Sequence, residues 1–225
     1  MGFGSGPNLG ATLLGEGAAG HVVERARAAE RAGFDDLWFI EDYFQTGAFT
    51  MAGAAAAVTT RIGLGLGVVN PYTRHPALLA METATLAAVA PGRVVLGLGA
   101  GVRRWIEGQM AIPAGRPLGA LRDCIDVIRR LWAGARVEHE GTAFSLRDIA
   151  LEYKPAQATL PIVLGVKGPR ALDHVAGRAL AQQRGTQARS GAEAHSGTRS
   201  FAASRRSRRP RLARRAATRG SPRSP

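Results

Sequence analysis

The sequence predicts an α/β fold in which the strands of a parallel sheet alternate with helices. Short apolar segments recur about every thirty residues, and each is followed by an alanine-rich or amphipathic segment of helical length. One apolar segment, at 62–68, alternates aliphatic residues with glycine, which is the two-residue period of a strand. The pattern comprises five β/α units, and it leaves a doubly wound sheet and a β/α barrel equally open.

The predicted strands are short apolar runs that end in turn residues. The first is glycine-rich and weak on its own pattern, whereas the later ones are bounded by Asn-Pro or by closely spaced glycines. Between the fourth and fifth predicted strands, a Glu-Gly-Thr segment predicts the turn of a hairpin. The predicted strands cover 2–6, 35–40, 62–68, 93–99 and 161–165, and the hairpin covers 137–146.

The helices are predicted from apolar residues that recur at three and four positions. In 118–133 this spacing is clearest, with Leu121, Ile125 and Ile128 on one face, and Cys124 falls among them as a core residue. Gly33 is placed to end the first helix. The predicted helices cover 21–32, 49–58, 77–90, 118–133 and 170–179.

The positive charge of the chain is concentrated near its end. The formal net charge is +13, but residues 1–180 carry 18 Lys+Arg against 16 Asp+Glu. Residues 181–225 carry 12 arginines against Glu193 alone, a balance of +11. The near-neutral body argues against a nucleic-acid-binding domain. A single cysteine excludes an internal disulfide, and the lack of a signal-like or long apolar segment predicts a soluble, cytoplasmic protein.

The sequence pattern changes after Leu180. Arg, Ala, Ser, Gly and Thr dominate 181–225, and Phe201 and Leu212 are almost its only large apolar residues. Such a segment cannot bury enough apolar surface to offset its chain entropy, so we expect a disordered, low-complexity tail beside a body at 1–180. A truncation or a reading-frame shift near Ala181 would produce this composition, and a genuine basic tail is the alternative.

Candidate functional residues lie where the predicted strands end. In parallel α/β folds these ends meet at one edge of the sheet, so we expect a shared site there. Glycine spacing does not indicate a dinucleotide fingerprint, because the Gly63-Gly65 pair meets Val68 where the third glycine would stand. The histidines lie far apart, and no metal site is predicted. The residues expected to converge are Asp42, Gly67, Val68, Asn70, Gly99 and Gly165.

Three segments together resemble the luciferase-like (bacterial luciferase superfamily) oxidoreductases. They are Gly-Val-Val-Asn-Pro-Tyr-Thr-Arg-His-Pro at 67–76, Gly-Phe-Asp-Asp-Leu-Trp-Phe-Ile-Glu-Asp at 33–42, and Gly-Arg-Val-Val-Leu-Gly-Leu-Gly-Ala-Gly at 92–101. The resemblance covers roughly Phe3–Leu180 and is greatest to the branch related to methylenetetrahydromethanopterin reductase, which uses the deazaflavin coenzyme F420. It implies an eight-unit β/α barrel that is incomplete here, and a homo-oligomer.

The resemblance also implies roles for particular residues. A non-prolyl cis peptide would fall at or next to Gly67-Val68, behind the coenzyme ring, whereas an all-trans glycine strand is the alternative. Asp42 would lie near that ring, or else serve as a helix cap or a loop carboxylate. Some relatives carry a catalytic glutamate just after the Gly99–Gly101 turn, where Val102 stands here, so no catalytic acid is assigned. The implied coenzyme contacts are Asp42, Gly67, Val68, Asn70, Gly99, Gly101, Gly165, Val166 and Lys167.

For the turn that includes Gly165, Val166 and Lys167, an ordinary Gly-Pro turn is the alternative to a coenzyme contact. His75, which precedes a proline, is expected to be a structural hydrogen-bonding residue.

Several functions follow as expectations. The first is an oxidoreductase that transfers a hydride between F420 and a small organic substrate, impaired if the barrel is incomplete. A flavin mononucleotide (FMN)-dependent monooxygenase of the same superfamily is the alternative within the enzyme class. A non-catalytic remnant is the second class, and a protein that binds nucleic acid non-specifically through its arginine-rich tail is the third.

Overall fold

The computed structural model describes residues 9–13, 19–41, 43–166 and 188–190 of the chain. Its helices and strands follow one another as the alternating sequence pattern predicts. The strands are β1 (Gly10–Leu13), β2 (Asp36–Phe39), β3 (Gly63–Val69), β4 (Val94–Gly99), β5 (Val137–Glu140), β6 (Ser145–Ile149), β7 (Ile162–Val166) and β8 (Ala188–Ser190). The helices are α1 (Val22–Arg31), α2 (Ala48–Ala56), α3 (Pro76–Val89), α4 (Arg103–Ile106) and α5 (Pro117–Trp132).

Six of the described strands form one parallel sheet in the order β1-β2-β3-β4-β7-β8. The order follows the chain without reversal, as in a β/α barrel, whereas a doubly wound sheet reverses its strand order. β5 and β6 pair antiparallel and form the predicted hairpin between α5 and β7. The predicted parallel α/β fold class is therefore confirmed.

Four of the five predicted strands are present to within a residue or two, as β2, β3, β4 and β7. The predicted strand at 2–6 and the predicted helix at 170–179 lie outside the described residues. Among the described strands, β1 at Gly10–Leu13 is the neighbour of β2 that the first strand was expected to be. The short helix α4 follows β4 and was not predicted.

The prediction that 181–225 has no regular packing is wrong at Ala188–Ser190. This segment forms β8 and pairs in parallel with Leu164–Val166 of β7. Strand pairing uses backbone N–H and C=O groups, so a sheet can extend along a segment that lacks apolar periodicity. The sheet thus continues beyond the boundary predicted at residue 180, and the rest of the tail lies outside the described residues.

The two faces of the sheet differ in composition. One face carries fully buried aliphatic and aromatic residues that align across neighbouring strands, such as Leu37 opposite Leu64 and Phe39 opposite Leu66. These residues share one core with the buried faces of the helices. The helices thus cover one face of the sheet and leave the other to glycines and a few larger residues.

None of the described helices is long and apolar enough to cross a lipid bilayer.

On the opposite face, the side chain of Trp38 lies over the glycine residues of β3. A Cβ built on Gly65 would overlap the indole ring, and one on Gly67 would lie 2.7 Å from Trp38 Cε3. At these two positions the group that approaches the glycines is a side chain of the neighbouring strand. The glycine pattern of β3 therefore accommodates an aromatic ring from β2.

Helix α5 is held against α3 by the largest fully buried side chain of the described core. Trp132 is 1% exposed, and its indole Nε1 donates a hydrogen bond of 3.0 Å to the carbonyl oxygen of Ala80 in α3. Leu121, Cys124 and Ile128 line the same buried face of α5, as predicted from their spacing. A buried indole that also satisfies its N–H is a major contributor to this helix–helix contact.

The turn that leads into β3 is held by a carboxylate of α1. Glu30 Oε1 accepts hydrogen bonds from the backbone N–H groups of Thr60, Arg61 and Ile62 at 2.9, 2.6 and 2.9 Å. Burial raises the pKa of Glu30, but the three backbone hydrogen bonds and the charge of Arg61 lower it, and the result lies below the ordinary value of 4.5. The ionised carboxylate is therefore the form that the folded chain prefers.

Replacing Glu30 with alanine is expected to lower the free energy of unfolding by about 1–2 kcal/mol at neutral pH, because three turn N–H groups lose their charged acceptor. The contribution should be complete above pH 4.5 and should disappear as pH falls through the lowered folded pKa. Urea unfolding at several pH values measures it. A difference between the wild type and the variant that grows as pH falls below 4.5 would contradict this assignment.

Candidate functional site

Asn70 organises the turn at the carboxyl end of β3. Its side chain is buried, and its Oδ1 accepts hydrogen bonds of 3.0 Å from the backbone N–H groups of both Tyr72 and Thr73. With the amide oxygen used in this way, the amide nitrogen faces Tyr43 and donates a hydrogen bond of 2.7 Å to its Oη. The turn thereby fixes the orientation of the amide and brings the loop after β2 to the end of β3.

The loop after β4 meets the same point through Gly101. The residue has a positive φ of 67°, and a Cβ there would overlap Tyr43 Oη and lie 2.5 Å from Ile106 Cδ1. The same Cβ would lie 3.3 Å from Asn70 Cγ. The ring of Trp105 packs edge-on against Tyr43 at a centroid distance of 5.0 Å. Three loops, after β2, β3 and β4, therefore meet around Asn70, and only glycine fits at Gly101.

Val68 of β3 lies over a glycine of β4 and a glycine of β7. A Cβ on Gly99 would lie 2.6 Å from Val68 Cγ2, and one on Gly165 would lie 3.0 Å from Val68 Cγ1. The Gly67-Val68 peptide bond is cis, as the resemblance implied, and the register of β3 against β4 shifts between Leu66 and Val69. We call the surface of Val68, Gly99 and Gly165 the glycine floor. It is apolar, and Val68 remains partly exposed on it.

Most of the predicted site residues come together at the carboxyl edge of the sheet. Val68, Gly99 and Gly165 form one group, and Asn70 and Gly101 form a second group next to it along β3 and β4. Val166 ends β7 beside the floor. Asp42 and Lys167 lie outside the described residues, so their predicted roles stay predictions.

Sequence reasoning missed Tyr43 and Trp105, whose rings pack against each other beside Asn70. We call these two residues the aromatic wall. Both residues lie within a few positions of the end of a predicted strand, and that location in the sequence could have identified them as candidates. Aromatic residues at such positions often line ligand sites in parallel α/β folds.

Arg74 and Glu41 form an ion-pair network that supports this edge. Arg74 Nε donates to Glu41 Oε1 at 2.5 Å and its Nη1 donates to Glu82 Oε2 at 2.9 Å. The other oxygen of Glu41 accepts from the backbone N–H of Ala48 at 2.9 Å, at the start of α2. Burial lowers the pKa of Arg74, but Glu41 and Glu82 raise it further, so the guanidinium stays charged. These groups fix the loops and are already satisfied by one another.

His75 has a structural role, as expected. Its Nδ1 accepts a hydrogen bond of 3.3 Å from the backbone N–H of Ala77 and so caps α3. That contact places the proton on Nε2, which lies 3.3 Å from the carbonyl oxygen of Ser145 in the hairpin. The ring also packs edge-on against Phe144 at 5.9 Å. His75 thus joins the β3 loop to the β5–β6 hairpin.

The loop after β4 carries a carboxylate, but that carboxylate is held by its neighbours. Glu107 receives two hydrogen bonds from Arg103, at 2.5 and 2.7 Å, and one of 3.2 Å from the backbone N–H of Ala114. Val102, at the position where some relatives carry a glutamate, is apolar and 45% exposed. Glu107 stabilises the loop, and no general acid is assigned to it.

Tyr72 lies between the Asn70 turn and this loop. Burial raises the pKa of its hydroxyl, and the charge of Arg103 lowers it while that of Glu107 raises it, so the pKa ends above its ordinary value. The hydroxyl is therefore a neutral O–H group. Among the described residues, no group of three or more His, Cys, Asp or Glu side chains is placed to hold a metal ion. The edge offers an apolar floor, neutral polar groups and an aromatic wall.

These features define a parallel α/β protein with a candidate site at the carboxyl edge of its sheet. The sequence profile of the family described as luciferase-like monooxygenase matches residues 3–221. The chain therefore belongs to the luciferase-like family, and the resemblance predicted from its motifs is confirmed.

Two curated relatives are similar to this chain in sequence, and the name of the second specifies F420. A 5,10-methylenetetrahydromethanopterin reductase of Archaeoglobus fulgidus is 36% identical over 146 residues, covering 65% of this chain and 43% of the relative. An F420-dependent glucose-6-phosphate dehydrogenase of Beutenbergia cavernae is 39% identical over 167 residues, covering 67% of this chain and 47% of the relative. The chain thus spans about half the length of the curated relatives it matches.

Solved structures agree with this assignment. The coenzyme F420-dependent tetrahydromethanopterin reductase of Methanopyrus kandleri superposes with a TM-score of 0.69 at 26% identity, covering 76% of this chain and 53% of that chain. An FMN-bound Baeyer–Villiger monooxygenase component of Pseudomonas putida has a TM-score of 0.61 at 18% identity, covering 72% of this chain and 52% of the other, and shares the fold alone.

Proposed function

We propose that the chain is the coenzyme-binding part of an F420-dependent oxidoreductase that transfers a hydride to or from a small organic substrate. The observation that carries the proposal is the glycine floor beside the Asn70–Tyr43 hydrogen bond, at the carboxyl ends of β3, β4 and β7. This edge is where parallel β/α folds place their ligands. The names of the relatives, which specify F420-dependent enzymes, support the choice of coenzyme.

The residues present fit a flat, largely neutral ring system. The side chain of Val68 lies against Gly99 and Gly165, which have no side chains of their own. Together the three residues make an apolar surface. Asn70 and Tyr43 supply polar atoms at the border of this surface. The charged groups of this edge are paired with one another, Arg74 with Glu41 and Arg103 with Glu107. The proposed contacts are Asp42, Val68, Asn70, Gly99, Gly101, Gly165, Val166 and Lys167. Gly67 is not proposed as a contact, because Trp38 fills the space in front of it.

A deazaflavin, when bound, supplies the carbon centre that accepts or donates a hydride. The residues of this chain would bind the coenzyme, orient its ring and shield the ring from water. The apolar floor excludes water from one face of a ring, the Asn70 turn holds Tyr43 at its border, and the Tyr43–Trp105 contact keeps the aromatic wall in place. No described residue is assigned as a general acid, because Glu107 is bound by Arg103 and Val102 is apolar.

The experiment is a fluorescence titration of the chain with F420 and, in parallel, with FMN. We expect F420 to bind at least about tenfold more tightly than FMN, a difference of about 1.4 kcal/mol. Tighter binding of FMN would favour a flavin-dependent monooxygenase instead. Failure to bind either coenzyme would contradict the proposal and favour a non-catalytic remnant.

A further inference from the structure

The hydroxyl of Tyr72 is a buried polar group that lacks a hydrogen-bond partner. Its Oη is shielded from solvent, and no group within the described residues donates to it or accepts from it. The backbone of Tyr72 is fixed by its N–H bond to Asn70 Oδ1, so the side chain extends from a rigid turn. A buried hydroxyl without a partner costs free energy, so its presence in a native protein calls for a physical explanation.

The charged groups around Tyr72 do not remove this cost. Arg103 and Glu107 are the charges whose fields reach the phenol, and they are hydrogen-bonded to each other and to the backbone of Ala114. Their side chains are 64% and 37% exposed, so the pair contributes little to stability and rearranges at small cost when a ligand arrives. The phenol therefore keeps a proton that the surrounding protein does not use.

The position of Tyr72 separates it from the other unpartnered groups. Thr83 lies in the buried face of α3 and His139 lies in the hairpin strand β5, so neither belongs to the loops of the carboxyl edge. Tyr72 follows Asn70 by two residues, and Asn70 contacts both Tyr43 and the Gly101 turn. The backbone of Tyr72 thus belongs to the carboxyl edge, and its hydroxyl lies within reach of the charges of Arg103 and Glu107 in the loop after β4.

We propose that the Tyr72 hydroxyl donates a hydrogen bond to an acceptor oxygen of the coenzyme and is a binding determinant for it. The inference rests on the proposed function, since it names a further residue of the same site. A hydrogen bond formed away from water is stronger than one at the surface, so this contact should contribute measurably to affinity. The cost of leaving the hydroxyl unpartnered is removed only when the coenzyme is bound.

The test compares Tyr72→Phe with Tyr153→Phe, a matched control. The Tyr153 hydroxyl already donates to the carbonyl oxygen of Met81 at 3.0 Å, and the residue lies outside the candidate site with 41% of its surface exposed. For each protein we would measure the thermal midpoint without ligand and the dissociation constant for F420 by fluorescence titration.

We expect Tyr72→Phe to weaken F420 binding about tenfold. It should also leave the thermal midpoint of the ligand-free protein unchanged or raise it by roughly 2–4 °C, because a buried unpartnered hydroxyl is removed. Tyr153→Phe should leave F420 affinity unchanged. This combination of equal or greater stability with weaker binding is what a merely structural hydroxyl would not produce.

Two results would overturn the inference. Wild-type affinity for F420 in Tyr72→Phe would show that the hydroxyl makes no coenzyme contact. A fall of several degrees in the thermal midpoint of Tyr72→Phe would show that the hydroxyl stabilises the fold. The affinity of the wild type itself tests the proposed function separately, so failure of the coenzyme assignment is distinguishable from failure at Tyr72.

Discussion

Replacing Trp132 with alanine is expected to lower the free energy of unfolding by about 3–5 kcal/mol. The indole is 1% exposed in the contact between α5 and α3, and alanine would leave a cavity between two helices that other side chains fill only in part. The carbonyl oxygen of Ala80 would also lose the hydrogen bond from the indole. Since domains have only about 5–15 kcal/mol in total, this single change would remove much of the stability.

Urea unfolding followed by circular dichroism measures this loss, and Trp132→Phe is the graded control. Phenylalanine retains most of the buried volume and removes the N–H donor, so we expect a smaller loss of about 1–2 kcal/mol. Equal stability of the alanine variant and the wild type would mean that α5 does not pack on α3 in solution.

Replacing Gly99 with alanine is expected to weaken coenzyme binding by at least about tenfold and to cost about 1–3 kcal/mol of stability. The new Cβ would lie 2.6 Å from Val68 Cγ2 and 3.4 Å from the carbonyl oxygen of Gly165. Val68 is β-branched and has few rotamers, so it cannot simply turn aside. The glycine floor would therefore be deformed.

Gly53→Ala is the matched control for this substitution. Gly53 lies inside α2, and a Cβ built there meets no atom within 4 Å. Alanine at this helical position should raise stability by roughly 0.5–1 kcal/mol and leave coenzyme affinity unchanged. F420 titration and urea unfolding of both variants measure the effects, and unchanged affinity of Gly99→Ala would exclude the floor as the binding surface.

The sequence predicted most of the described fold because its periodicities are strong. Alternation at 62–68 and the three- and four-residue spacing at 118–133 correspond to β3 and α5. The four-residue helix α4 is too short to show a period, and the three-residue strand β8 is defined by its backbone pairing with β7. Apolar periodicity reports side-chain burial, so it cannot detect a strand of that kind.

The candidate site was predicted in part. Strand ends located Asn70, Gly99 and Gly165, because parallel strands place their carboxyl ends together. Sequence did not show that Trp38 fills the space above Gly65 and Gly67, or that Val68 covers Gly99. These contacts join different strands, and their partners depend on sheet register, which a pattern within one strand does not contain.

We propose that the carboxyl edge of the sheet, around Asn70 and the glycine floor, binds the coenzyme. Hydrogen–deuterium exchange of the wild type with and without saturating F420 tests it most directly, since bound ligand slows local opening. We expect slower exchange of the backbone amides at 68–74 and 99–106, and unchanged exchange in the hairpin at 137–149. Protection confined to the hairpin, or none at either edge segment, would contradict it.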